Sequence, residues 1–222
     1  ENDNVLYAGT GDRNLVSLYR IGDGVYKSND GGDNWTNIGL SQGRIISDID
    51  IDPSDTNTIY VSAMGLPSVP DTNRGVYKSI DGGATWSHIL HINDSSGVNN
   101  LVINPNNPDI LYAAGWTRVR TNQASIVSGS GSTIWKSVDG GSSWTELTNG
   151  LPGPGSGRTA IAMFTPNPDT LYALYVGSNS QLEGIYRSFD GGANWTTTNT
   201  FSMSSALGGF GWYFSGIYIS PY

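Results

Sequence analysis

The chain has 222 residues, no cysteine, 11 Lys plus Arg against 19 Asp plus Glu, and a formal net charge of −8. That length gives one domain with ample core. The missing thiols exclude disulfide and zinc-thiolate chemistry. The acidic balance argues against nucleic acid and anionic membrane surfaces, and no apolar run is long enough to span a bilayer.

The chain opens on "LYAGTGD" (Leu6 to Asp12), which reads as a short strand and turn. Next comes "VYKSNDGGDNWTNI" from Val25: an alternating run, an acidic double-glycine turn, and a tryptophan that opens another strand. Alternation predicts a strand with two faces. Gly-Gly permits the positive φ of a tight reversal. The pattern returns as "VYKSIDGGATWSHI" from Val76, "IWKSVDGGSSWTEL" from Ile134 and "IYRSFDGGANWTTT" from Ile185. Its aspartates, Asp30, Asp81, Asp139 and Asp190, stand 51, 58 and 51 residues apart.

Four copies at near-even spacing predict a structural staple rather than a ligand loop. Ser28, Ser79, Ser137 and Ser188 are expected to hydrogen-bond the bare turn together with the aspartates. Trp35, Trp86, Trp144 and Trp195 are expected to be buried. Phosphate binding is not expected, because no helix signal follows the glycines.

A second repeat lies between the turns. "DIDIDPSDTNTIYVSAMG" (Asp48 to Gly65) matches "NLVINPNNPDILYAAGW" (Asn100 to Trp116) and "AIAMFTPNPDTLYALYVG" (Ala160 to Gly177). Each period thus holds four short strands, and no stretch shows sustained helical periodicity. The predicted fold is all-β, a β-propeller of four-stranded antiparallel blades. The tail "SGIYISPY" (Ser215 to Tyr222) reads as the first strand of a blade, and the opening residues read as the turn and second strand of one. The chain is then either a small closed propeller or a segment of a larger one.

These residues carry a resemblance. "SxDGGxxW" at 28–35, 79–86, 137–144 and 188–195 resembles the Asp-box, the bacterial neuraminidase repeat. Its order here is similar to the sortilin-type and glycosyl-hydrolase-like Asp-box propellers of secreted bacterial proteins. The resemblance implies a secreted or cell-surface place, and in this superfamily the Asp-box is a structural turn in enzymes and receptors alike. Fold alone does not give the activity.

Length variation is confined to one face of the predicted propeller, in loops such as "GTGDRNLVSLYRIGD", "WTRVRTNQASIVSGSGS" and "FSMSSALGGFGW". Binding usually lives on variable loops held by a rigid scaffold. Trp116, Arg118, Arg120, Trp212 and Arg74 are therefore the candidate contacts for a protein or glycan ligand. Asp48, Asp50 and Asp52 alternate along one strand and are weak metal candidates; the curled loop, Gly and distant Glu of an EF-hand are missing.

Glycoside hydrolysis needs two carboxylates across a cleft. Xyloglucanase-like relatives carry a catalytic Asp in the segment leading into the third strand, where Asp23 stands, with Asp12 upstream. No sialidase arginine motif precedes the arginines, and His88 and His91 show no triad pattern. The resulting expectation is a non-catalytic extracellular module for protein or carbohydrate binding or surface assembly, with no cofactor. The alternatives are a segment of a xyloglucanase-like or sialidase-like hydrolase, or a structural component of a cell-surface or filament assembly, completed by further blades or neighbouring chains.

Overall fold

The computed structural model describes residues 4–15, 19–203 and 205–220. It is a β-propeller arc of four successive sheets. The first holds β1 (Leu6–Gly9), β2 (Val25–Ser28) and β3 (Thr36–Asn37). The second runs β4 (Ile46–Ile51), β5 (Ile59–Ala63), β6 (Gly75–Ser79) and β7 (Ser87–Leu90). The third is β8 (Ser96–Ile103), β9 (Leu111–Thr117), β12 (Ile134–Ser137) and β13 (Thr145–Leu147). A small hairpin, β10 (Val119–Arg120) with β11 (Ser125–Ile126), rises from its long loop. The fourth is β14 (Thr159–Met163), β15 (Leu171–Val176), β16 (Leu182–Ser188) and β17 (Thr196–Thr197). All pairs are antiparallel, as the alternating pattern predicts.

The four turns are superimposable in chemistry. In each, the serine hydroxyl donates to the aspartate Oδ1 at 2.7–2.8 Å and accepts the second glycine's N–H at 2.8–2.9 Å. The residue four past the aspartate donates its N–H to Oδ1 and a side-chain hydrogen to Oδ2. Every glycine of the four pairs has positive φ, from 64° to 101°. These bonds hold each carboxyl down at about 2.

The expectation of four buried tryptophans is corrected. Trp195 is buried, Trp86 and Trp144 are half-buried, and Trp35 is 42% exposed. The cause is that this ring packs between sheets. Trp86 donates its indole N–H to the Ile38 carbonyl of the sheet before it, at 2.9 Å. Trp35 belongs to the first sheet, and no earlier sheet covers it among the described residues.

Successive sheets stack face to face. Val25, Leu40, Ile46, Val61 and Tyr77 seal the first interface, Tyr60, Val76, Leu101 and Ala113 the second, and Tyr112, Ile134, Ile161 and Leu171 the third. A polar clamp recurs at the rim. Lys27, Lys78 and Lys136 each donate Nζ to the first turn glycine of the following sheet, Gly82, Gly140 and Gly191, at 3.2, 2.9 and 2.7 Å. Tyr60 and Tyr112 donate to Gly140 and Gly191 as well, at 3.2 and 2.8 Å. A charged donor on a partly buried carbonyl contributes roughly 1–2 kcal/mol. Lys136→Met is expected to lower stability by about that amount in chemical denaturation; an unchanged midpoint would show that the clamp carries no load.

Strands β4, β8 and β14 adjoin one another on the inner side. Bulges in β4 and β8 turn Ser47 and Asn99 sideways into the next sheet. There Ser47 donates to the Val98 carbonyl and Asn99 to the Thr159 carbonyl.

The expectation of a strand in the tail is also corrected. β1 pairs with β2 alone among the described residues, Gly211–Phe214 is a single helical turn (α1), and 215–220 form no strand. Pro221 and Tyr222 lie outside the described residues. Gly208 and Gly209, both at positive φ, reverse the chain ahead of α1. Leu207 and Ile217 then pack on Leu174 and Val176 of the fourth sheet.

Candidate functional site

The loop from β1 to β2 forms an open cleft on the variable-loop face. Its neck is closed by Thr10. The Thr10 N–H donates to the Gly24 carbonyl at 3.1 Å, and its hydroxyl donates to the same oxygen at 2.7 Å. That hydroxyl accepts the N–H groups of Asp23 and Gly24 at 3.0 and 3.1 Å. Asp12 donates its N–H to the Arg20 carbonyl at 2.8 Å, and its Oδ1 accepts the Asn14 N–H at 3.1 Å. Gly22 ties the loop to the next sheet through the Arg44 carbonyl at 2.6 Å. The resulting cavity of about 780 Å³ is lined by Thr10, Asp12, Arg20, Ile21, Asp23 and Arg44, with Gly11 and Gly22.

Asp23 is exposed at this cleft, and its Oδ2 accepts the Tyr26 hydroxyl at 2.7 Å. Asp12 is half-buried, with one oxygen spent on its own turn. Two carboxylates and two guanidiniums thus face one groove. Glycoside chemistry uses two carboxylates that flank the scissile bond; here both carboxylates come from the one loop between β1 and β2.

The structure draws the other expected ligand residues inward. Trp116, Arg74 and Arg118 are 0%, 0% and 1% exposed, and Arg120 and Trp212 are half-buried. Trp116 packs with Leu15, Ile45 and Met64 and donates to the Val127 carbonyl at 2.9 Å. Arg118 lies over the rings of Trp116 and Trp212, at 5.8 and 5.0 Å, and donates to the carbonyls of Leu15 and Ile126. Arg74 donates to the carbonyls of Ser95, Arg118 and Leu66. Burial brings both guanidiniums down to about 10, so they stay charged. Trp116, Arg74 and Arg118 are spent on loop carbonyls and on holding the layer together, while Arg120 and Trp212 keep part of their surface open.

Sequence reasoning passed over Arg158 as a contact. It is 4% exposed, lies over Trp116 at 5.3 Å, and donates to Asn14 Oδ1 and the Tyr213 carbonyl at 3.2 and 2.9 Å. Its signal was its place just before the first strand of a sheet, the same place that Arg44 holds in the second.

The three alternating aspartates separate. Asp52 Oδ1 accepts from the Ser54 and Asp55 backbones, closing a turn. Asp48 Oδ2 accepts from Asn100 and the Leu101 N–H, both at 3.1 Å. Asp50 stands opposite Tyr60, and its Oδ2 is buried with no hydrogen-bond partner among the described residues. Among the described residues no group of three metal-ligating side chains converges.

Comparison with known proteins completes the description. The family model Sortilin-Vps10 (sortilin, neurotensin receptor 3) matches residues 23–154. A xyloglucanase of Paenibacillus sp is 26% identical over 88% of this chain and 19% of its own length. The xyloglucanase Xgh74A of Acetivibrio thermocellus is 27% identical over 87% of this chain and 24% of its own. The chain therefore spans about a fifth to a quarter of the curated relatives it matches.

Among solved structures, the GH74 enzyme of Niastella koreensis superimposes with a TM-score of 0.64 at 23% identity, over 88% of this chain and 28% of that one. The GH74 xyloglucanase of Xanthomonas campestris does so with 0.62 at 20%, over 89% and 29%. They share the fold. The expectation of a non-catalytic chain is overturned by the two curated relatives, which are xyloglucanases. With its family model matched over more than half its length, the chain belongs to the Sortilin-Vps10 family of Asp-box propellers.

Proposed function

We propose that this chain is the part of a xyloglucanase-like glycoside hydrolase that carries one side of the glucan cleft. The observation that carries the reading is the groove of Thr10 to Arg44, in which Asp12 and Asp23 stand together. The curated relatives support it, since both are xyloglucanases. Asp23 is the carboxylate assigned to the reacting sugar: it is exposed to the groove, and Tyr26 and the Thr10-pinned backbone fix its position. Asp12 sits on the same groove as its neighbour. Arg20 and Arg44 supply donors for sugar hydroxyls.

Each glycosidase carboxylate acts either as acid or as nucleophile or base, so removing its charge stops the step it serves. A secreted or cell-surface place follows from the chemistry, because a polymeric β-glucan is met outside the cell. The test is reducing-end release from xyloglucan, a mixed-linkage β-glucan and a sialoside by the polypeptide carrying this chain. Asp23→Asn is expected to lower turnover of xyloglucan at least ~100-fold, the low end of what a positioned acid or base contributes, with an unchanged melting temperature. Full turnover in that variant would remove Asp23 from the reaction, and cleavage of the sialoside alone would replace the substrate class.

A further inference from the structure

Arg44, on the wall of the groove that holds Asp12 and Asp23, has a backbone conformation that suits glycine better. Its φ is 57° and its ψ −51°. Across it, the Ile45 N–H donates to the Gly43 carbonyl at 2.5 Å. This is a γ-turn of positive φ, the rare and strained kind, which a glycine takes at less cost. Gly43, its neighbour, is not the residue at positive φ. The bonds that hold the turn are backbone bonds and open to any residue. The Arg44 carbonyl accepts the Gly22 N–H at 2.6 Å, and the Ile45 carbonyl accepts the Met64 N–H at 2.8 Å. The Arg44 side chain is exposed and makes no hydrogen bond or ion pair among the described residues. No polar contact of its own offsets the strain. Strained residues of this kind cluster at ligand sites, where the position of the side chain is what the strain serves.

Most other cations have partners. Lys27, Lys78 and Lys136 sit on glycine carbonyls, and Arg74, Arg118 and Arg158 on further backbone carbonyls. Arg20 shares the groove with Arg44. It too is exposed, with no side-chain hydrogen bond or ion pair among the described residues. The groove carboxylates are already supplied with donors: Asp12 Oδ1 takes the Asn14 N–H, and Asp23 Oδ2 takes the Tyr26 hydroxyl. Two planar forks of N–H donors therefore remain for a ligand. A guanidinium fork matches a carboxylate in both geometry and charge, and a neutral hydroxyl calls for no such pair.

We infer that Arg44 and Arg20 read a carboxylate, so that the groove favours a uronate-bearing glycan over a neutral one, with Arg44 setting that specificity. The inference takes the groove as a glycan site, as the hydrolase reading does, and adds the charge of the unit it accepts.

The test is calorimetric titration of the whole protein with cellobiouronate and with cellobiose, which differ only in a carboxylate for a hydroxymethyl group. Cellobiouronate is expected to bind about tenfold tighter, the order of one charge-assisted contact. The difference should shrink in ~0.5 M salt, which screens exposed charge. Arg44→Gly should bring the two affinities together through loss of cellobiouronate binding alone, with a melting temperature equal to or above the parent's. Arg20→Ala, outside the strained turn, should narrow the difference as well. Equal affinity for the two sugars in the parent protein would overturn the inference, and so would binding of neither. An unchanged preference in Arg44→Gly, or an equal loss of both sugars, would do the same. A much lower melting temperature in Arg44→Gly would assign the strain to the fold, and Arg20→Ala then decides: a preference left intact there overturns the inference. Asp23→Asn should keep the preference while losing turnover of xyloglucan. Turnover that survives in that variant would count against the hydrolase reading and leave the carboxylate site standing.

Discussion

Trp116→Ala is expected to destabilise the protein by about 3–5 kcal/mol, the usual cost of emptying a large aromatic site in a core. The ring is wholly buried among Leu15, Ile45 and Met64. It also lies under two guanidiniums, Arg118 and Arg158, and its N–H satisfies the Val127 carbonyl. Loss of the ring leaves a cavity, an unpaired carbonyl and two buried cations without their aromatic face, and all three effects have the same sign. Domains have only about 5–15 kcal/mol to lose, so the variant should melt far below the parent. A shift equivalent to under about 1 kcal/mol, the scale of an ordinary surface change, would show that the loop layer is not built on Trp116.

Asp50 is the second large effect, and it depends on pH. Its carboxyl stands on β4 opposite Tyr60, with Oδ2 shut from solvent and unpartnered among the described residues. Burial, and then the charge of Asp48, push it from 3.8 up to about 7. Below the unfolded value both states hold the proton, and the site costs nothing extra. As pH rises toward 7 the unfolded chain releases its proton while the native state keeps it, so stability falls; above about 7 the penalty is complete. At about 1.4 kcal/mol per pH unit of displacement, the loss reaches at most about 4 kcal/mol.

Asp50→Asn removes that dependence. Its advantage over the parent should be small at pH 4.5 and grow by a few kcal/mol at pH 8. The difference between the two proteins cancels the Asp-box carboxyls, which lose stability only in acid. An advantage that stays flat across this range would contradict the buried-acid reading.

The two effects show which parts of the molecule the sequence discloses. The Ser-x-Asp-Gly-Gly turn is legible because its chemistry is local: Ser79, Asp81 and Thr85 satisfy one another within seven residues. Strand alternation is local too, and it yields the four sheets. The loop layer is not local. Arg118 is buried because the carbonyl of Leu15, far off in sequence, comes down upon it, and nothing near Arg118 announces that.

The ring of Trp35 is exposed for the same kind of reason, since a sheet is covered by its neighbour and not by itself. At the tail, Ile217 and Tyr218 alternate like a strand, yet Ile217 is spent on the fourth sheet and Tyr218 is left in solvent. Asp12 and Asp23 were legible as a pair because both belong to one loop. That Thr10, Arg20 and Arg44 join them in a groove needed the fold.

The central claim is that this groove receives a β-glucan. The most direct measurement is a crystal structure of the Asp23→Asn protein with a xyloglucan oligosaccharide. The account predicts glucan density along Thr10, Asp12, Arg20 and residue 23, with a sugar oxygen within hydrogen-bond distance of the substituted side chain. Oligosaccharide seated on the Asp-box face, with the groove empty, would contradict it.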